Sequence, residues 1–207
     1  GTSVGTIKKI KKVAKIIIDY KKKNYKVIVV SSAMSGVTNE LIKKSFEISD
    51  SFSESEHDVL VSSGEQVACS LIAGRLIHEG YESRSWLSWQ IPILTKGKYK
   101  NSRINQINKG NIIEYLKKGG IPVVTGFQGI NDENRIATIG RGGSDASAIM
   151  LAKFFKAERC IIYTDVEGVY TTDPNKLKNA KKIKVISYEE MLEMASLGAK
   201  VMQPVSI

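Results

Sequence analysis

The sequence predicts an α/β fold, a three-layer α-β-α sandwich with a mostly parallel central sheet, on three observations. Helical and strand-like segments alternate from one end of the chain to the other. The strand-like runs are short and β-branched, as in strands buried on both faces. Loops rich in glycine and serine lead into the helices, where α/β sheets bind their ligands.

Each element has its own warrant. Ile7, Ile10, Val13, Ala14, Ile17 and Ile18 recur at helical spacing, so residues 6–23 are read as an amphipathic helix. Residues 26–32 read as a buried strand that breaks at Ser35-Gly36, and a helix resumes over 38–49. Residues 50–56 are rich in serine and acid and read as a mobile loop, and a second long helix is expected over 64–78. Weaker strands follow at 83–87 and 93–95, then a helix at 109–118 that ends at Gly119-Gly120. The strand 121–125 is followed by a loop, the 140–145 segment, an apolar helix over 146–155 and a strand over 159–164. Ser187 with Glu190 has the spacing of a capping box and opens a last helix that runs through Ala195. No internal repeat or linker divides the chain, which is read as one domain over 1–207.

Composition narrows the classes of function. With 42% hydrophobic and 25% charged residues among 207, the chain is an ordinary globular one. Its apolar runs are short, such as 16–18 and 27–30, and none approaches the roughly 20 residues of a membrane span. Lysines interrupt the N-terminal stretch, so no secretory signal is read and a cytoplasmic protein is expected. The two cysteines, Cys69 and Cys160, and the two histidines, His57 and His78, give no metal-ligand spacing. Both cysteines sit in apolar segments and are expected to be buried free thiols, and His78 is expected at a helix end. The net charge of +10 is spread along helix faces, as at Lys8, Lys9, Lys11, Lys12 and Lys15. With no zinc finger and no basic-aromatic interleaving, nucleic acid is not an expected partner.

Four loops carry chemistry. Gly1 to Gly5 is a run of small residues leading into a helix, where backbone N–H groups attract phosphate. Residues 31–39 join strand to helix with hydroxyls that either bind an anion or cap the helix. Gly140-Arg141-Gly142-Gly143-Ser144-Asp145 lets backbone approach a ligand closely, with an arginine able to grip a carboxylate or phosphate through two bonds. It is neither a P-loop nor a dinucleotide fingerprint. Residues 164–174 place acidic residues and Tyr170 after a strand, in keeping with a nucleotide pocket, although Asp173-Pro174 also reads as a turn.

These segments together resemble the aspartokinases of the amino-acid kinase family. The pieces are Gly-Thr-Ser-Val at 1–4, Ser-Ala-Met-Ser-Gly-Val-Thr-Asn at 32–39, Ser-Gly-Glu-Gln at 63–66 and Gly-Phe-Gln-Gly at 126–129. The 140–145 loop, the 164–174 loop and Gly-Ala-Lys-Val at 198–201 complete them, in the family's order. The resemblance implies the carbamate kinase-like fold and transfer of the γ-phosphoryl group of ATP, carried with Mg²⁺, to the β-carboxylate of L-aspartate. That reaction opens the route to lysine, threonine and methionine. The resemblance gives Arg141 the α-carboxylate of aspartate and Glu65 its α-ammonium, with Ser32, Thr38, Gly142, Gly143 and Ser144 completing the pocket. Asp145 matches the family's catalytic-site aspartate, with Arg141 as its catalytic partner. Gly1, Thr2, Ser3, Thr164, Asp165, Tyr170, Asp173 and Lys200 would line the nucleotide site. The expected partners are small molecules, with a homodimer left open and no dedicated metal ligands.

The chain also departs from the family pattern. That pattern begins Lys-Phe-Gly-Gly-Thr-Ser and continues past Ile207, so the N-terminal lysine and the final strands are expected to lie outside this sequence. Losing such a preorganised donor typically costs about 10²–10³ in rate. Lys96, Asn175, Gln203 and Val205 replace residues usual in the family. A related kinase with another acceptor, or a non-catalytic nucleotide-binding subunit, are the alternatives.

Overall fold

The computed structural model describes residues 1–140, 142–164, 168–172, 176–177 and 179–196. Its first helix, α1 (Ile7–Lys22), starts where Thr6 accepts the Lys9 N–H at 3.2 Å, a side-chain cap for an otherwise unpaired donor. Ile10, Ala14, Ile17 and Ile18 form its buried stripe. Then come β1 (Val29–Ser31), α2 (Val37–Ile48) and α3 (Glu54–His78). The strands β2 (Ser83–Trp86), β3 (Ile93–Lys96) and β4 (Arg103–Ile107) precede α4 (Gly110–Lys117). They are followed by β5 (Ile121–Thr125), β6 (Gln128–Ile130), β7 (Ile136–Thr138), α5 (Gly143–Phe155) and α6 (Tyr188–Ser196).

The strands form two sheets. One is parallel, in the order β1-β5-β2, with Val29 opposite Val123 and Ser85 opposite that same residue. The other runs β4-β3-β6-β7 and mixes directions: β3 is parallel to β6, while the β3–β4 and β6–β7 pairs are antiparallel. Alternation along β5 builds the layers. Ile121 and Val123 join α1 and α3 in one core, with Ile10, Ile72 and Leu76. Val124 joins the opposite core, with Ile112 of α4 and Leu151 of α5. The strand is buried at every position, as expected of a parallel strand covered on both faces.

Several expectations need correction. The second long helix starts at Glu54 rather than near residue 64, which shortens the loop read at 50–56. Glu54 and Glu56 in its first turn favour that start. Gly64 is a close-packing position within it, since a Cβ there would stand 2.8 Å from the Ala33 Cβ. Strand β4 and the β6–β7 hairpin give no strand signal, because β4 is Arg-Ile-Asn-Gln-Ile and the hairpin strands, Gln-Gly-Ile and Ile-Ala-Thr, are only three residues each. Residues 159–164 are not a strand. The bonds of this segment go elsewhere: Ser3 donates its hydroxyl to the Tyr163 carbonyl at 2.9 Å, and the Tyr163 hydroxyl meets that of Tyr20 at 3.3 Å. Cys69 is buried, but Cys160 is exposed. The capping box stands as read, the Ser187 N–H reaching Glu190 at 2.9 Å and the Glu190 N–H reaching the Ser187 hydroxyl at 3.2 Å. His78 is the exposed last residue of α3. No helix among the described residues is long and apolar enough to cross a membrane.

Candidate active site

The site is built where β1 and β5 end. The Gly126 N–H donates to the Ser31 carbonyl at 3.0 Å, continuing the sheet ladder by one bond. Beyond it the chain turns through residues 32–36 into α2, with Gly36 left-handed at φ 84° as the N-cap. Such a φ favours glycine. Thr38 sits half-buried in the first turn of α2.

The N-terminal segment lies against this loop. Residues Thr2–Val4 form a single 3₁₀ turn, and the Gly1 nitrogen donates to the Ser32 hydroxyl at 2.6 Å. A Cβ on Gly5 would stand 2.9 Å from that of Ser35, so the two segments pack closely. The Lys9 ammonium bonds the Thr2 carbonyl at 2.9 Å and ties the turn to α1.

Glu65 holds the loop from the helix side. It is 3% exposed, and its Oε1 accepts the Ala33 N–H at 2.9 Å. Its Oε2 is buried with no hydrogen-bond partner among the described residues. Burial pushes its carboxyl up to about 7, against the opposing pull of the Ala33 N–H. A buried carboxylate with one bonded and one bare oxygen is poised to receive a cationic donor.

The glycine loop opens α5 from the other side. Gly142 is left-handed at φ 75° and serves as its N-cap. A Cβ on Gly143 would stand 2.7 Å from the Phe127 ring and 3.0 Å from the Ile139 Cβ. Ser144 packs so tightly that a Cβ on Gly126 would meet it at 3.1 Å. The Ser147 hydroxyl receives the Phe127 N–H at 3.0 Å and donates to the Gly143 carbonyl at 2.7 Å, locking the loop to the end of β5. Asp145, half-buried in the first turn of α5, has its carboxyl raised by desolvation.

A cleft of about 840 Å³ brings Gly1, Ser3, Ser32, Ser144 and Asp145 together, with Tyr163 at its border. Thr164 follows Tyr163 directly and is exposed. Tyr170 does not line this cleft; it bridges Lys182 on a short antiparallel pairing. Arg141, Asp165, Asp173, Asn175, Lys200, Gln203 and Val205 lie outside the described residues. Among the described residues, no group of three or more histidine, cysteine, aspartate or glutamate side chains could hold a metal ion. Sequence reading missed Asp58, fully buried on α3 two turns before Glu65. Its signal was an acid on the buried face of a helix, hidden because residues 57–63 were assigned to neither the loop nor the helix.

A parallel sheet with a serine loop, a buried acid and a glycine-opened helix at its strand ends defines an α/β ligand-binding domain of the phosphate-handling kind. The amino acid kinase family model matches residues 1–207, and the chain belongs to that family. It is 49% identical over 207 residues to an aspartokinase of Rickettsia felis, covering 99% of this chain and 52% of that protein. It is 47% identical over 204 residues to aspartokinase 2 of Bacillus subtilis, covering 99% of this chain and 50% of that one. The chain thus spans about half the length of the curated relatives it matches. Escherichia coli aspartokinase III, solved in complex with aspartate and ADP, superposes with a TM-score of 0.88 at 26% identity over 100% of this chain and 57% of that one. Aspartate kinase from Synechocystis gives 0.86 at 40% identity, over 100% of this chain and 34% of that one.

Proposed function

We propose that this chain is the kinase portion of an aspartate kinase, passing the γ-phosphoryl group of ATP to the β-carboxylate of L-aspartate. The observation that carries the reading is Glu65, a buried carboxylate bonded to the acceptor loop through one oxygen and, among the described residues, without a partner on the other. An α-amino acid brings the ammonium group that such an oxygen needs. The similarity to aspartokinases over 99% of the chain supports the same substrate.

The roles follow from charge. The α-ammonium of aspartate docks on Glu65, and Arg141 pairs with its α-carboxylate in a two-bond fork. Ser32, Thr38, Gly142, Gly143 and Ser144 close around the rest. The β-carboxylate is ionised at neutral pH, so it attacks the γ-phosphorus without a general base. A carboxylate oxygen–phosphorus bond forms, the bond from phosphorus to the ADP oxygen breaks, and the products are an acyl phosphate and ADP. The protein's contribution is alignment and neutralisation of charge on the group in flight. Asp145, at the mouth of α5, organises these groups, and Mg²⁺ arrives with ATP as part of the substrate. Gly1, Thr2, Ser3, Thr164, Asp165, Asp173 and Lys200 accommodate the nucleotide.

Calorimetric titration with L-aspartate, L-glutamate and Mg-ATP tests this. L-aspartate is expected to bind in preference to L-glutamate, and Arg141→Ala to lose it while keeping Mg-ATP. Preference for another acceptor would overturn the substrate assignment.

A further inference from the structure

Helix α3 carries a second buried carboxylate that the phosphoryl transfer does not use. Asp58 is 0% exposed. Its Oδ2 accepts two backbone N–H groups, from Thr138 at 2.7 Å and from Lys100 at 2.9 Å. Its Oδ1 accepts the Thr138 hydroxyl at 2.8 Å, and His57 Nδ1 stands 3.5 Å from the same oxygen. A charge taken this far from water persists only when it is bonded on several sides, and bonds to an ionised acceptor are the strong ones.

The donors belong to segments that meet at the glycine loop. Thr138 ends β7, two residues before Gly140, while Lys100 lies in the turn between β3 and β4. Ser102 tightens the junction by donating both its N–H, at 3.0 Å, and its hydroxyl, at 2.9 Å, to the Thr138 carbonyl. Asn101 then sits against Gly140, its Oδ1 only 2.9 Å from where a Cβ would be. One carboxylate therefore fixes where β7 ends and where the glycine loop begins.

Glu65, seven residues further along the same helix, does the equivalent for the serine loop through the Ala33 N–H. Two turns of helix, about 10 Å, separate the two attachments. We propose that Asp58 is a positioning residue for the acceptor site. Helix α3 is a strut bearing two carboxylate pegs, and the spacing of Asp58 and Glu65 sets the distance between the two loops and so the length of amino acid that fits between them. The inference rests on the aspartate kinase reading and adds a determinant of acceptor length to it.

Asp58→Asn tests it, because the amide replaces one acceptor oxygen with a donor that opposes the donors already there. Affinities for L-aspartate, L-glutamate and Mg-ATP are measured by calorimetry, alongside amide hydrogen exchange at 98–102 and 138–140, with 31–36 as reference. L-aspartate is expected to weaken about tenfold while Mg-ATP stays within about twofold. The preference for aspartate over glutamate narrows, and faster exchange is confined to the glycine-loop side. Thr138→Val removes only the hydroxyl bond and keeps the backbone donor. It is expected to shift everything the same way by less, and it decides the matter if Asp58→Asn does not fold. An unchanged aspartate-to-glutamate ratio, or equal losses for aspartate and Mg-ATP, would overturn the proposal. Failure of the underlying reading looks different: the unsubstituted protein would itself bind no L-aspartate. Exchange at 98–102 and 138–140 would then still show whether Asp58 holds the loop, and unaltered exchange would sink that too.

Discussion

In the proposed function Glu65 has to be buried to hold the serine loop, yet ionised to hold an ammonium group. The folded protein resolves this by raising its carboxyl to about 7 through desolvation. Two pH trends follow with opposite signs. Without ligand, the folded state keeps the Glu65 proton above the ordinary value of 4.5, where the unfolded chain has released it. This contribution is therefore fully present below about 4.5 and is lost as pH rises towards about 7, a change of about 3 kcal/mol at most. Denaturant titrations between pH 4.5 and 8 are expected to show this loss, and Glu65→Gln to lack it. Aspartate binding, as proposed, runs the other way, because on that reading it needs the ionised form. Its affinity is expected to fall about tenfold for each pH unit below about 7. In Glu65→Gln it should be weak and flat with pH, and a profile there like the parent's would remove Glu65 from the acceptor site. Glu65 was legible only through the Ser-Gly-Glu-Gln segment at 63–66 that carries the family resemblance. Asp58 was not, since its meaning lies in backbone donors 42 and 80 residues away.

At the scale of elements, glycines separate packing from propensity. Gly143→Ala puts a methyl group 2.7 Å from the Phe127 ring and 3.0 Å from the Ile139 Cβ. Phe127 is already held at φ 66°, so little can give way. Overpacking of this kind typically costs about 1–3 kcal/mol, and the melting temperature is expected to fall. Gly74→Ala is the contrast, because on α3 its Cβ would meet nothing within 4 Å. A gain of about 0.5–1 kcal/mol is expected there from helix propensity alone. Thermal denaturation of the pair checks both signs, and equal shifts would mean the glycine loop is looser than its contacts indicate. The same contrast explains what could be read beforehand. Helix α1 declared itself through its stripe of isoleucines and lysines, and β5 through five consecutive buried positions. Strand β6 is Gln-Gly-Ile and gives no period, since a Cβ on Gly129 would stand 2.3 Å from the Thr95 methyl and 2.6 Å from the Ile93 carbonyl. Its identity is set by its neighbours rather than by its own side chains.

For the whole molecule, one parallel sheet divides two apolar cores, and the alternation along β5 decides which side chain enters which. That much of the architecture was legible, because buried parallel strands advertise themselves in hydrophobic runs. Of the second sheet only β3 was, and that sheet is the one that delivers the glycine loop. Residues 159–164 show the limit of local pattern: they are β-branched and apolar, yet their bonds run to Ser3 and Tyr20. That placement leaves Cys160 exposed at the border of the cleft, while Cys69 is sealed in the core. Burial and the nearby Glu65 push the Cys69 thiol far up, and partial desolvation together with the nearby Asp145 raises that of the surface Cys160. A maleimide dye applied at mildly alkaline pH is therefore expected to attach once, with peptide mass spectrometry locating it on Cys160. Mg-ATP should slow the labelling, and unslowed labelling would place the nucleotide elsewhere. The protein thus supplies its own fluorescent reporter position beside the cleft, with no cysteine to add and none to remove.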